Sequence, residues 1–456
     1  MPRWLDNKFV MPALVACAIL IPLDMIQGLV GERQERHRQA VQEMAATSTG
    51  PQWLMGPVLV VPCTETYLVE ERDEQTRQVR QTERTRDCTR FALPDRLDLN
   101  GTLATDERSR GIHSALFYDA DLALQARFTV PGGFGSGARD ARIALGSARI
   151  GIGIRDPRGV LNVPELLLDG RPLRVAPGSG LPVLGPGIHA DLGPVRPDQA
   201  MEVSLPLRLR GLERLDVVPL GRLTQFRLES AWPHPSFVGR FLPASRQVSE
   251  RGFEAQWSTS HFATGLQETF AGHFLDDAPA EEITAVSLGV NLIDPVDLYT
   301  QTDRAMKYGF LFVALTFIAL LGTELARGLR LHAMQYAMVG VALAMFFLLL
   351  LSLAEHIGFA RAYLCAACAC VALLGYYLRH GLQSVGAGAG YGASLAVLYA
   401  LLFALLRSED YALVAGSVFV FGVLAALMVA TRRLDWHALG AAARAPLRAG
   451  APAAGE

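Results

Sequence analysis

Residues 308–326 read YGFLFVALTFIALLGTELA, with Glu324 the single charge. The hydrocarbon core of a bilayer is about 30 Å thick and a helix rises about 1.5 Å per residue, so about 20 apolar residues cross it. Four more such stretches follow, over 334–353, 359–378, 388–406 and 411–430. Another lies far upstream: FVMPALVACAILIPLDMIQGL, at 9–29. Lipid offers no partner to backbone polar groups, so each span is read as a helix. About 280 residues of ordinary water-soluble composition separate the first span from the second. The chain therefore reads as a mixed α and β membrane protein. It has six transmembrane helices, one N-terminal and five C-terminal, with a large domain inserted after the first.

The formal net charge of −2 gives no global field toward nucleic acid, and the apolar spans make the lipid bilayer the expected partner. Arg3 and Lys8 precede the first span as they would in a signal peptide. No small-x-small cleavage site follows it, so the span is read as an uncleaved anchor. Basic residues of the short loops set the orientation. Arg3, Lys8, Arg327, Arg330, Arg379, Arg432 and Arg433 fall on one side, with Arg361 and Arg407 on the other. Arg304 and Lys307 lie just before the second helix. The expectation is a bacterial inner-membrane protein with both termini cytoplasmic, Trp4 and Trp436 at that interface, and the inserted domain periplasmic. Arg33, Arg36 and Arg38 run against this bias, but Glu32, Glu35 and Glu43 intersperse them in a long translocated domain.

The expected segments are an anchor at 1–30, the periplasmic domain at 31–305, a five-helix bundle at 306–433 and a disordered tail at 434–456. Residues 31–47 read as a polar stalk helix with Glu32 and Arg36 at i, i+4. Beyond Gly56 short β-rich runs alternate with Gly and Pro turns. Examples are 57–61, 122–130, 141–145, 203–209 and 225–229. Such spacing predicts an all-β, sandwich-like fold, as one domain or two. Cys63 and Cys88 fall in this domain, where an oxidising compartment permits a bridge closing a loop of about 25 residues.

No Walker A, Rossmann, GxSxG or HExxH signature occurs. Gly132 to Gly137 is a glycine-rich loop without the strand-to-helix context of a phosphate cradle. No catalytic residue, metal or cofactor is expected. Cys365, Cys368 and Cys370, like the glycines from Gly386 to Gly392, read as small residues for close helix approach. Glu324 is read as snorkelling to the cytoplasmic interface, and Glu409-Asp410 as a solvated turn. Glu355 and His356 are functional candidates, placed in a five-residue turn between the third and fourth helices. A carboxylate beside an imidazole there can relay protons, bind a cation or satisfy helix-end carbonyls. In the inserted domain the candidates are Trp232 and His234, in Trp232-Pro-His-Pro-Ser-Phe237, with His261 at the end of Trp257-Ser-Thr-Ser-His261.

Several stretches resemble one family. They are Gly50-Pro-Gln, Gly56-Pro-Val-Leu-Val-Val-Pro62, residues 232–237 with Phe241-Leu-Pro243, Val296-Asp-Leu-Tyr299, Arg304 to Tyr308, Leu331-His332 with Gln335-Tyr336, Ser352 to Gly358, residues 409–413 and residues 431–436. The pattern is similar to that of the CreD family of bacterial inner-membrane proteins. Cys63 and the Cys365–Cys370 cluster depart from it. The resemblance implies a role in envelope integrity or stress response, linked to two-component regulation, colicin tolerance and β-lactam response. It supplies no catalytic residues. The resulting expectation is a non-enzymatic protein whose β domain meets an envelope component or another inner-membrane protein. Two rivals stand beside it. A transporter or lipid-handling protein would have a bundle cavity lined by Glu324, Glu355 and His356. An envelope-acting enzyme would have a pocket where His234 or His261 meets a carboxylate.

Overall fold

The computed structural model describes residues 10–72, 79–131, 142–274, 281–292, 298–327, 331–381, 384–407 and 412–431. The glycine-rich stretch from Gly132, Glu409-Asp410, Trp4, Trp436 and the tail at 434–456 lie outside the described residues. The chain divides into two compact units: residues 1–37 with 296–456, and residues 38–295.

The helices are α1 (Val10–Thr47), α2 (His261–Thr264), α3 (Leu266–His273), α4 (Glu281–Ala285), α5 (Leu298–Arg327), α6 (Ala333–Ile357), α7 (Phe359–Gly381), α8 (Val385–Arg407) and α9 (Ala412–Thr431). Among the described residues five of these are long and apolar enough to cross a membrane: α1, α5, α6, α7 and α8. Among the described residues, five of the expected six therefore appear. The sequence placed the missing span at 411–430, where the chain does form α9.

The anchor and the stalk are one helix. Its 38 residues have no break at Pro22, near the middle of the apolar part. At about 1.5 Å per residue it is about 57 Å long. In the helix unit α1 buries Ile19, Leu23, Ile26 and Val30, a stripe at spacings of four, three and four. Gly340 of α6 lets the two helices close up, since a Cβ there would run into Ile19. Gly388 does the same between α8 and α7: a Cβ there would sit 2.8 Å from the Arg379 Cα. Helix contact was the expected use of the glycines. The cysteines divide. Cys370 is buried, whereas Cys365 and Cys368 are exposed.

The second unit is built from seventeen strands among the described residues. They are β1 (Gln52–Arg72), β2 (Val79–Ala92), β3 (Arg96–Arg110), β4 (His113–Thr129), β5 (Arg142–Leu145), β6 (Ser147–Ile154), β7 (Leu166–Leu168), β8 (Arg171–Leu173), β9 (Val175–Pro177), β10 (Gly187–Pro194), β11 (Ala200–Leu212), β12 (Arg214–Val218), β13 (Leu223–Ser230), β14 (Pro235–Gly239), β15 (Ser245–Ser249), β16 (Gly252–Ser260) and β17 (Leu288–Leu292). One sheet runs β14-β17-β12-β1-β6-β10-β9, with β2 and β5 also on β1; the other runs β15-β16-β13-β3-β4-β11-β7-β8. A single hydrophobic core lies between them, drawing on Leu59, Val61, Leu99, Leu124, Ile150, Leu205, Phe226 and Trp257. One sandwich, not two, answers the question left open by the sequence.

The continuous apolar run at 57–61 has a physical reason. Leu59 and Val61 face the main core, while Val58 and Val60 face a second cluster with Leu266, Phe270, Phe274 and Ile283. A strand covered on both faces loses its polar alternation. The cover on the second face is α3 and α4, helices that the all-β expectation lacks. Leu266, Phe270 and Phe274 recur every four residues, a helical signal that the strand reading passed over. Cys63 and Cys88 sit directly opposite in the β1–β2 ladder and form a disulfide. Its 25-residue loop is worth about 3 kcal/mol in the chain-entropy account.

The last turns of α1 pack on this unit. Met44, with Val41 and Ala45 beside it, meets Ala115, Phe117 and Leu212. The Arg158 guanidinium donates to the Ala46 carbonyl at 2.6 Å, satisfying one orphan acceptor at the helix end. Five residues later Gln52 is 1% exposed. Its Nε2 lies within hydrogen-bond distance of Thr49 Oγ1 (2.8 Å), the Asp156 carbonyl (2.9 Å) and the Arg210 carbonyl (3.0 Å), sharing its two protons among the three, and its oxygen accepts from the Asp156 N–H (3.0 Å). Gln52→Leu strands those groups in the interior. It is expected to destabilise the second unit by about 2–4 kcal/mol, read as a lower thermal midpoint of the full chain in detergent.

Two aspartates of this unit are held below the ordinary carboxylate value. Arg158 hydrogen-bonds Asp156, and Arg210 hydrogen-bonds Asp119. A carboxylate depressed on folding stabilises above its unfolded value, and the contribution is lost as pH falls through the folded one. The unit should therefore weaken below the ordinary value of 3.8. Asp119→Asn with Asp156→Asn should flatten that acid limb in a pH series of unfolding midpoints.

Candidate functional site

Helix α6 runs to Ile357, and α7 starts at Phe359 after Gly358 alone. The expected five-residue turn is absent, and Glu355 and His356 occupy the last turn of α6. Successive helical positions point about 100° apart, so the two side chains part company. The His356 Nδ1 lies 3.2 Å from the Ser352 carbonyl one turn back, which is inside the helix and not among its orphan end carbonyls. Glu355 turns inward. Its side chain is 8% exposed and lies 3.7 Å from the Arg33 guanidinium of α1. The Tyr299 hydroxyl in the first turn of α5 donates to its Oε1 at 3.5 Å. The His37 ring, one turn beyond Arg33, lies 5.5 Å from the Tyr299 ring. One carboxylate thus gathers three helices distant in sequence.

A second acidic side chain of the helix unit is equally enclosed. Glu324, near the end of α5, is 5% exposed rather than snorkelled. Its Oε2 accepts from the Tyr336 hydroxyl at 2.7 Å, and its Oε1 from the Leu331 N–H at 3.3 Å. Burial is tolerated because both oxygens are hydrogen-bonded. Tyr299 and Glu324 lie 25 positions apart on α5, about 37 Å along the helix. Glu324, Glu355 and His356 therefore do not line one cavity. Tyr336→Phe should cost about 2 kcal/mol. In a Glu324→Leu background the same change should cost far less, a coupling measurable as a double-mutant cycle of thermal midpoints in detergent.

The second unit places Trp232-Pro-His-Pro-Ser-Phe237 at a sheet edge. β14, paired with β17, carries Phe237 edge-on against Trp257, with ring centroids 5.8 Å apart. Trp257 is buried and stacks on Phe226 at 4.9 Å. Trp232 packs against the core and meets the His234 ring at 6.2 Å. The His261 Nδ1 lies 3.3 Å from the Arg222 carbonyl, and its ring lies against Phe262. Among the described residues neither His234 nor His261 is paired with a carboxylate. No group of three or more His, Cys, Asp or Glu side chains there is placed to hold a metal ion. Sequence reasoning missed Arg33, Tyr299 and the Glu324–Tyr336 pair. Tyr299, Tyr336 and Glu355 lie inside the stretches that carry the family resemblance, but nothing in the spacing of positions 33, 299 and 355 announces that they meet.

These features define a class: a polytopic membrane protein with a disulfide-bearing two-sheet unit inserted between its first two spans. A family profile described as "Inner membrane protein CreD" matches residues 5–437. Inner membrane protein CreD of Escherichia coli (strain K12) is 38% identical over 422 residues, covering 92% of this chain and 91% of that one. The chain belongs to the CreD family of inner-membrane proteins. Two solved structures of an M1 zinc metallopeptidase from Deinococcus radiodurans also align. One, a mutant bound to a Tyr-Ser-Ala substrate, has a TM-score of 0.20 and 10% identity, covering 43% of this chain and 42% of that one. The other has a TM-score of 0.21 and 11% identity, covering 43% and 41%. Likeness that slight transfers neither fold nor chemistry.

Proposed function

We propose that this inner-membrane protein maintains cell-envelope integrity without catalysis, its β unit facing the periplasm and meeting an envelope component there. The observation that carries the reading is the Cys63–Cys88 disulfide in the large inserted unit, since such bridges persist in oxidising compartments. The loop bias of Arg and Lys supports the same orientation, with both termini cytoplasmic. Membership of the family supports the link to envelope stress. Glu324 and Glu355 are far apart, and each candidate histidine meets a backbone carbonyl or an aromatic ring.

Two measurements test this. The full chain from growing cells should run with Cys63 and Cys88 oxidised, and a strain lacking periplasmic disulfide formation should leave both thiols free to alkylate. Free thiols in ordinary cells would place the unit on the other side of the membrane. Photo-crosslinkers placed in the full chain along β15, whose side chains are all exposed, should capture an envelope component. If none is captured, and cells lacking the protein keep a normal envelope, the functional part of the reading fails.

A further inference from the structure

The chain leaves the helix unit after His37 and re-enters it at Val296. Arg33 and His37 belong to the departing helix, and Tyr299 to the first turn of the returning one. Glu355, from a third helix, touches both: Arg33 at 3.7 Å and the Tyr299 hydroxyl at 3.5 Å. All four residues lie within the helix unit.

The position of Glu355 on its own helix is unfavourable. It sits in the last turn of α6, whose C-terminal carbonyls form the negative end of the helix dipole. A carboxylate there is repelled by its own helix and is held by a cation from another. Its side chain is 8% exposed, so solvent does little to relieve it. The Arg33 side chain is 36% exposed, so water and salt reach that partner. The contact is therefore poised to open rather than locked.

We propose that Glu355 is a clamp joining the two chain connections that lead to and from the inserted unit. Closed, it holds the outgoing part of α1 and the start of α5 to α6. Open, it lets both connections loosen together. This is a regulatory device of the helix unit, and it holds whichever side of the membrane the β unit occupies.

The test is hydrogen exchange on the full chain in nanodiscs of phosphatidylethanolamine and phosphatidylglycerol. Glu355→Gln keeps the shape and an acceptor for Tyr299 but loses the charge. It should speed exchange about tenfold at residues 30–37 and at 298–303 together, leaving α7 and α8 unchanged. The exchanged pair Arg33→Glu with Glu355→Arg should return both segments to the original rates, because an arginine suits the α6 end. Three outcomes overturn the clamp: no change in Glu355→Gln, a change confined to the last turn of α6, or an equal rise in every helix. Failure of the exchanged pair to restore the rates also overturns it, provided the pair keeps the thermal midpoint of the original chain.

Discussion

The amide of Gln52 is the joint on which the β unit turns. A helix that ends and a strand that begins within five residues leave unpaired backbone groups at both termini. Gln52 ties that junction to the rest of the unit, bonding the Thr49 hydroxyl just past the helix and backbone groups of Asp156, in the loop after β6, and Arg210, in β11. Gly159 completes the fit, since a Cβ there would strike the Arg210 carbonyl and the Gln52 amide. From this joint β1 departs to pair in turn with β12, β6, β5 and β2. A strand of 21 residues with four partners fixes most of its sheet.

The helix unit solves the same problem with fewer means. Lipid supplies no hydrogen bonds, so each span closes its own ladder and packs through small residues and apolar stripes. Several of the polar groups that remain inside are paired. Glu324 receives Tyr336, Tyr363 donates to the Tyr399 carbonyl at 2.8 Å, and Tyr391 donates to the Thr316 carbonyl at 3.3 Å. Such pairs tie a specific helix to a specific neighbour, which apolar stripes alone do not do.

Much of the fold was legible. The spans, the inserted unit and its strands follow from composition and period, because lipid and core burial both act on local runs of residues. The helices α3 and α4 were missed because an eight-residue helix and a short strand both present a few apolar side chains. The site was less legible. Glu355 was picked out by its neighbour His356, and the structure separates the two, since adjacent helical positions point about 100° apart. Glu324 was read as snorkelling because it lies near a span end. The nearby Tyr336 hydroxyl, twelve residues on, makes burial the better state.

By itself the sequence determined that this chain enters the membrane near its start, returns to it near residue 300, and carries a β-rich unit between. Those facts rest on runs of like residues, and a run needs no partner to be recognised. Only the tertiary structure decided that the inserted region is one sandwich, that Cys63 faces Cys88, and that Arg33, Tyr299 and Glu355 meet. Each of those is a pairing between residues far apart in the chain. A pairing of that kind is set by how packed elements align, and local spacing carries no record of it.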